Sequence, residues 1–231
     1  MKDIFVTTKN VKRFEATMDR VHHKLKGVER MALIFGEPGL GKTECALRYA
    51  AANNTSSYHD SVVYMRMKKL MNARWFLIQL LKDLRAPVRW RTMDLFDEAV
   101  RGLGERGCTL ILDEVDYFSS DSKVTESLRD LHDITGTPMI FLGMEHADKR
   151  LMKYPHLYDR FIEVVKFLPL DRDDVEKMTK ELSEFQFSDE AIDRIARDSG
   201  GKIRKILAMI HRAEYVARGS KIKTIEAKDL K

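Results

Sequence analysis

The chain has 231 residues, 44% apolar and 33% charged, with a formal net charge of +5. That length suits one large domain or a domain with a small companion, and the balance of apolar and charged residues excludes a disordered chain. No apolar run reaches the ~18 residues of a membrane span, the stretch Met1-Lys2-Asp3-Ile4-Phe5 lacks the apolar segment of a signal peptide, and Cys45 and Cys108 are too few for a disulfide framework. The expectation is a cytoplasmic protein with no membrane partner. Both cysteines read as small core residues, since no His or Cys lies at ligand spacing from them.

Phe14, Met18, Val21 and Leu25 recur at helical spacing, which predicts a helix over 9–26 packed on the core, with His22 and His23 on its surface. Residues 31–35 form an apolar run of strand length. It leads into Gly36-Glu37-Pro38-Gly39-Leu40-Gly41-Lys42-Thr43, which matches G-x-x-x-x-G-K-T, the Walker A or P-loop pattern. Glycines let the backbone approach a phosphate without a Cβ in the way, and successive N–H groups then cradle its oxygens. Lys42 is placed to reach the β- and γ-phosphates, and the Thr43 hydroxyl to ligate Mg²⁺. Glu44 opens the good helix former that follows, whose N-terminal dipole adds to the attraction. ATP and Mg²⁺ are the expected cofactors; no guanine-reading N-K-x-D is present.

Further along, strands are predicted over 61–65, 109–113, 139–142 and 162–167. Helices are predicted over 72–85, 92–102, 123–134 and 145–153. This alternation predicts an α/β fold with a parallel sheet flanked by helices. After Pro169 three helical stretches, 171–184, 188–199 and 202–218, follow with no strand between them, and Asp171 and Ser188 are expected N-caps. The expected division is an ATPase core over 1–168 and a small all-helical unit over 169–231.

The strand at 109–113 ends in two acids. Asp113 lies at the carboxyl end of a parallel strand, where the P-loop also lies, and is placed to hold the water shell of Mg²⁺. Glu114 is placed to polarise an attacking water as general base. With these residues the chain resembles the AAA+ ATPases over nearly its whole length. The resemblance implies a P-loop AAA+ sheet with a helical lid, and it assigns two further residues. Arg160, in Tyr158-Asp159-Arg160-Phe161, resembles the arginine finger that reaches the nucleotide of a neighbouring subunit. Arg204, in Ser199-Gly200-Gly201-Lys202-Ile203-Arg204, resembles the sensor-2 residue of the lid. One departure stands out: Met144 occupies the place where the family usually has a polar sensor-1 residue, with Glu145 as a substitute beside it.

Within that superfamily the chain looks most like the transposon target-selection ATPases, the MuB, TnsC and TniB group. Residues 32–39, Met139 to Glu145 and the Gly-Gly-x-x-Arg lid carry the likeness. It is shared with secretion-associated ATPases of the ExeA type and, more loosely, with replication initiators. The resemblance implies a homo-oligomeric ring or filament, double-stranded DNA and a transposase as partners. The sequence offers one DNA surface. Between Arg66 and Arg91 stand eight basic residues against the single acid Asp83. Lys68, Lys69, Arg74, Arg89 and Arg91 are the expected phosphate contacts. Trp90 is expected to pack in the core, with stacking on a base or sugar as the alternative. The competing expectation is an ATPase that acts on protein, in secretion or remodelling.

Overall fold

The continuous apolar runs of the sequence pair side by side. The computed structural model describes residues 1–2, 4–22, 29–54, 61–117, 122–220 and 222–230. In chain order its elements are α1 (Lys9–His22), β1 (Met31–Phe35), α2 (Lys42–Asn53), β2 (Val62–Arg66), α3 (Ala73–Asp83), α4 (Thr92–Arg106), β3 (Thr109–Asp113), α5 (Ser122–Thr135), β4 (Met139–Gly143), α6 (Ala147–Leu151), α7 (Pro155–Tyr158) and β5 (Phe161–Lys166). After these come α8 (Arg172–Leu182), β6 (Gln186–Phe187), α9 (Asp189–Ser199), α10 (Ile203–Ser220) and β7 (Thr224–Ile225). Strands β1 to β5 form one sheet in the order β2-β3-β4-β1-β5, parallel throughout. Every residue of β1, β3 and β4 is buried, as expected of interior parallel strands covered on both faces.

The strand order positions the site. β3 lies beside β4 and β4 beside β1, so Asp113 pairs with Leu142 and Phe35 with Gly143. On the outer side of β3, Arg66 pairs with Asp113. The carboxyl ends of four strands that are distant in sequence thus line up along one edge.

The chain divides into two compact units. One holds Phe14–Gly36 and Lys42–Lys166, with the whole five-stranded sheet. Phe14, Met18 and Val21 are buried there, as their spacing implies; Leu25 and His23 lie outside the described residues. His22 lies 3.1 Å from the Thr109 hydroxyl and stacks near Tyr49. Both cysteines are buried and outside any disulfide, and burial pushes the Cys45 thiol up to about 12. The helix predicted to end near Gly102 runs on to Arg106 and stops at Gly107, whose φ of 59° suits a glycine. Gly102 lies inside it, where a Cβ would stand 3.4 Å from the Leu84 side chain.

The other unit holds Met1–Arg13, Glu37–Gly41 and Phe167–Lys231. Its core is built from Val175, Ile195, Ile206 and Ile210 of α8, α9 and α10. Asp171 and Ser188 cap α8 and α9 by accepting from Asp174 N and Ala191 N. The Asn10 side-chain amide brackets the Leu168 backbone, donating at 2.7 Å and accepting at 3.2 Å. The expectation of no strand among these helices is corrected. Phe187 in β6 pairs in parallel with Ile225 in β7, and Ser188 N donates to Ile225 O at 2.9 Å. Strands of two residues are too short to show alternation, so only the fold reveals them.

Candidate nucleotide site and basic surface

Asp113 is the hub of the polar groups at the carboxyl edge of the sheet. One carboxylate oxygen accepts from the Thr43 hydroxyl at 2.7 Å and from the Tyr64 hydroxyl at 2.8 Å; the other accepts from the Glu114 amide at 2.8 Å. Burial, then the bond to Asp113, raises the Tyr64 phenol above its ordinary range, so it remains a donor. Lys42, at the start of α2, donates to the Gly36 carbonyl at 2.7 Å. Burial pushes its amine below the ordinary lysine value, against the opposing pull of Asp113, Asp116 and Glu145. A cation flanked by carboxylates and a converging hydroxyl–carboxylate pair suits a triphosphate with its Mg²⁺. Hydroxyl and carboxylate are the oxygen donors that this ion prefers. Among the described residues no cluster of three His, Cys, Asp or Glu could hold a metal ion.

Glu114 has a φ of 58°, an uncommon conformation for a residue with a Cβ. Its two carboxylate oxygens are clasped by Arg66, the last residue of β2, with Nε at 2.8 Å and a second guanidinium nitrogen completing the pair. Neither Tyr64 nor Arg66 was singled out for this role in the sequence. The signal available was their spacing of two, which puts both on one face of a strand. Asp116 accepts from Met144 N at 2.6 Å, and Glu145 pairs with Lys166 at 2.5 Å. Residues 144–145 therefore present a backbone held by an acid and a carboxylate held by a lysine. Gly143 is required there, because an added Cβ would stand 2.2 Å from that of Ala147.

The rest of the P-loop belongs with the C-terminal helices. Gly39 and Gly41 have φ of 86° and 90°, the left-handed region that only glycine enters freely. Ile203 N donates to Gly39 O at 3.0 Å, and Lys202 pairs with Glu37 at 3.0 Å. Arg204, one residue on, is exposed. Gly201 has a φ of 68°, and a Cβ there would come within 2.6 Å of Leu170 N and O. Gly201→Ala is therefore expected to cost more than about 2 kcal/mol, the left-handed penalty plus overlap with unyielding backbone. Gly200→Ala should cost less, since nothing lies within 4 Å of its Cβ position. Urea unfolding midpoints check this; equal shifts for the two variants would refute it.

Arg160 does not join these groups. Its guanidinium donates to both oxygens of Asp133, at 3.2 and 3.0 Å, and lies 3.7 Å from Glu29. Both acids have other basic neighbours: Glu29 lies 3.0 Å from His132, and Asp133 lies 3.8 Å from Arg129.

Lys68, Lys69, Arg89 and Arg91 are exposed and Arg74 half-buried. Arg89 pairs with the buried Glu98 at 3.3 Å, while Arg74 donates to Trp90 O at 2.5 Å and to the Thr92 hydroxyl at 3.1 Å. The Lys68 ammonium sits 5.4 Å from the centre of the Trp75 ring. Trp90 corrects its expectation. It is 88% exposed, not in the core, because the α3–α4 connection turns its backbone, not its ring, toward Arg74.

A parallel sheet in this order, with a P-loop after β1 and an acidic pair after β3, is the fold and site of an ATP-hydrolysing P-loop protein. The chain belongs to the AAA domain family: the AAA_22 family, described as an AAA domain, matches residues 25–151. It is similar to replication factor C subunit 1 of Saccharomyces cerevisiae, 26% identical over 188 residues, covering 80% of this chain and 21% of that protein. The chain thus spans about a fifth of the length of that relative. In fold it is similar to Cdc6p from Pyrobaculum aerophilum, with a TM-score of 0.68, 18% identity, and coverage of 94% of this chain and 63% of that one. It is likewise similar to the ORC1 protein of Aeropyrum pernix, solved in complex with DNA, with a TM-score of 0.67, 14% identity, and coverage of 99% and 65%. No helix among the described residues is long and apolar enough to cross a membrane.

Proposed function

We propose that this protein is an ATP-hydrolysing, sequence-nonspecific DNA-binding AAA+ ATPase that assembles on target DNA and recruits or activates a transposase. One observation carries the DNA reading. The strand whose last residue, Arg66, clasps Glu114 runs directly into the exposed basic residues Lys68 and Lys69. A polyanion on that surface competes for Arg66, and so couples DNA to the candidate base. The similarity in fold to an ORC1 protein solved with DNA is consistent with this. The transposase rests on the resemblance of residues 32–39, 139–145 and 200–204 to the MuB, TnsC and TniB group.

In this reading, residues 1–168 are the ATPase core and 169–231 the lid. The P-loop amides and Lys42 hold the triphosphate, with Glu44 opening the supporting helix, and Arg204 reaches the nucleotide from the lid. Thr43 and Asp113 would hold Mg²⁺, which would supply positive charge against the phosphates. Glu114, once Arg66 lets go, accepts the proton of the attacking water. Arg160 of a neighbouring subunit supplies charge to the transition state. Glu114→Gln should then keep ATP binding and lower turnover by about 10²–10⁴. Arg66→Ala should raise turnover in the absence of DNA, because the carboxylate is no longer clasped. Steady-state phosphate release measures both. A fall in Arg66→Ala turnover would make that residue a support for the base, not a restraint on it.

The deciding assay is binding to random-sequence duplex at several salt concentrations, with ATP, ADP or a slowly hydrolysed analogue. Contacts to phosphates give little sequence preference and a log–log salt slope near −0.9 for each phosphate neutralised. Replacing Lys68 and Lys69 together should flatten that slope by about two units. Binding that ADP supports as well as ATP, or no binding at all, would sink the reading in favour of an ATPase acting on protein.

A further inference from the structure

Three large apolar side chains stand in solvent within the basic segment and at the start of α4: Leu70 at 83% exposed, Trp90 at 88% and Met93 at 68%. Arg74, in the first turn of α3, donates to both Trp90 O and the Thr92 hydroxyl, so the first turns of α3 and α4 lie together. The Trp90 ring is flanked in sequence by Arg89 and Arg91. Among the described residues neither Lys69 nor Arg91 has a carboxylate partner. Arg74 gives these two bonds to neutral oxygens.

Resting on the DNA-binding reading above, we propose that Trp90 stacks on a DNA base that binding has unstacked, while the cations around it hold the flanking phosphates. An indole left in water among cations has little reason to be there for folding, because it buries nothing. Charge complementarity selects a polyanion, and among polyanions a nucleic acid also offers flat π faces. Base-on-aromatic stacking is indifferent to sequence, since every base has such a face. Insertion of an apolar wedge at a base step is the corresponding mode on duplex DNA, at a cost that falls where pairing is already weak. The proposal therefore predicts tighter binding to duplex carrying a few mismatched pairs than to intact duplex, and that this preference comes from Trp90.

The chain has two tryptophans, Trp75 and Trp90, so Trp75→Phe leaves Trp90 as the sole indole reporter. In that background, with ATP present, saturating DNA should quench the Trp90 emission. Trp90→Ala should weaken binding to mismatched duplex by about 5- to 150-fold and abolish the preference for it. Its salt slope should match the wild type, because stacking releases no counterions. Trp90→Phe should recover most of the affinity. An unchanged emission at saturation, or wild-type affinity in Trp90→Ala, would overturn the proposal while leaving the DNA-binding reading in place, provided the steep salt dependence persists. If the wild-type protein binds no DNA at all, both fall. If Trp90→Ala instead fails to self-associate with ATP in the absence of DNA, the indole is a protein contact and the proposal is wrong. The substitution removes a ring that contributes nothing to the core, and a thermal melt equal to wild type confirms that folding is intact.

Discussion

Lys42→Ala should abolish measurable ATP binding. The amine is half-buried at the start of α2, and burial lowers its affinity for a proton while Asp113, Asp116 and Glu145 raise it. Those three carboxylates act on the same amine that, in the proposed function, holds the polyphosphate. Without the ammonium, an anionic ligand meets an acidic pocket with one cation fewer and loses charge-assisted hydrogen bonds worth about 3 kcal/mol. That alone is roughly 10²-fold in affinity, and repulsion from the remaining carboxylates adds to it. Loss of the bond from Lys42 to the Gly36 carbonyl should cost little stability, because water replaces it in an open site. Calorimetric titration with ATP, together with a thermal melt, separates the two effects. Tight ATP binding by a folded Lys42→Ala chain would show that the P-loop is not the nucleotide site.

Arg160→Ala is expected to leave ATP binding by the single chain intact and to lower hydrolysis by about 10³–10⁵, the range for a finger supplied in trans. The structure adds a control. Arg160 rests on Asp133 and Glu29 of its own chain, so the proposed finger role requires it to exchange these carboxylates for a neighbour's phosphate. Removing the arginine leaves Glu29 near His132 and Asp133 near Arg129, so the fold should survive. Asp133→Asn weakens the resting pair without touching the finger, and should keep activity. Mixing Arg160→Ala with Lys42→Ala chains should restore part of it, since mixed interfaces join an intact site to an intact finger. If Asp133→Asn is as inactive as Arg160→Ala and mixing rescues nothing, the arginine serves only its own surface ion pair.

Much of the nucleotide site was legible because its signals are local. A P-loop needs an apolar strand, glycines at fixed offsets and a helix start, and all of these lie within residues 31–53. The acids at 113 and 114 announce themselves by following five apolar residues. The roles of their neighbours were not legible. Arg66 counted as one cation in a basic run until β2 was found beside β3, with Arg66 opposite Asp113. Tyr64 was a strand residue until the same register brought its hydroxyl to Asp113. Lys202 and Glu37 stood in two separate motifs, and their pairing needs the fold to bring the two together.

Periodicity and spacing by themselves determined the parallel α/β class, the P-loop, the acidic strand end and the caps of α8 and α9, because each depends on contacts within a few residues of chain. Tertiary structure decided the rest. The order β2-β3-β4-β1-β5 chose which strand ends meet, the clasp of Arg66 on Glu114 followed from it, and Arg160 found its acids at Asp133 and Glu29. Trp90 shows the limit most plainly. Hydrophobicity alone places an indole inside, but whether it is buried depends on what packs over it, and the α3–α4 connection leaves that space to solvent. Burial and pairing are properties of neighbours that sequence separates by tens of residues, and only the folded chain specifies which neighbours those are.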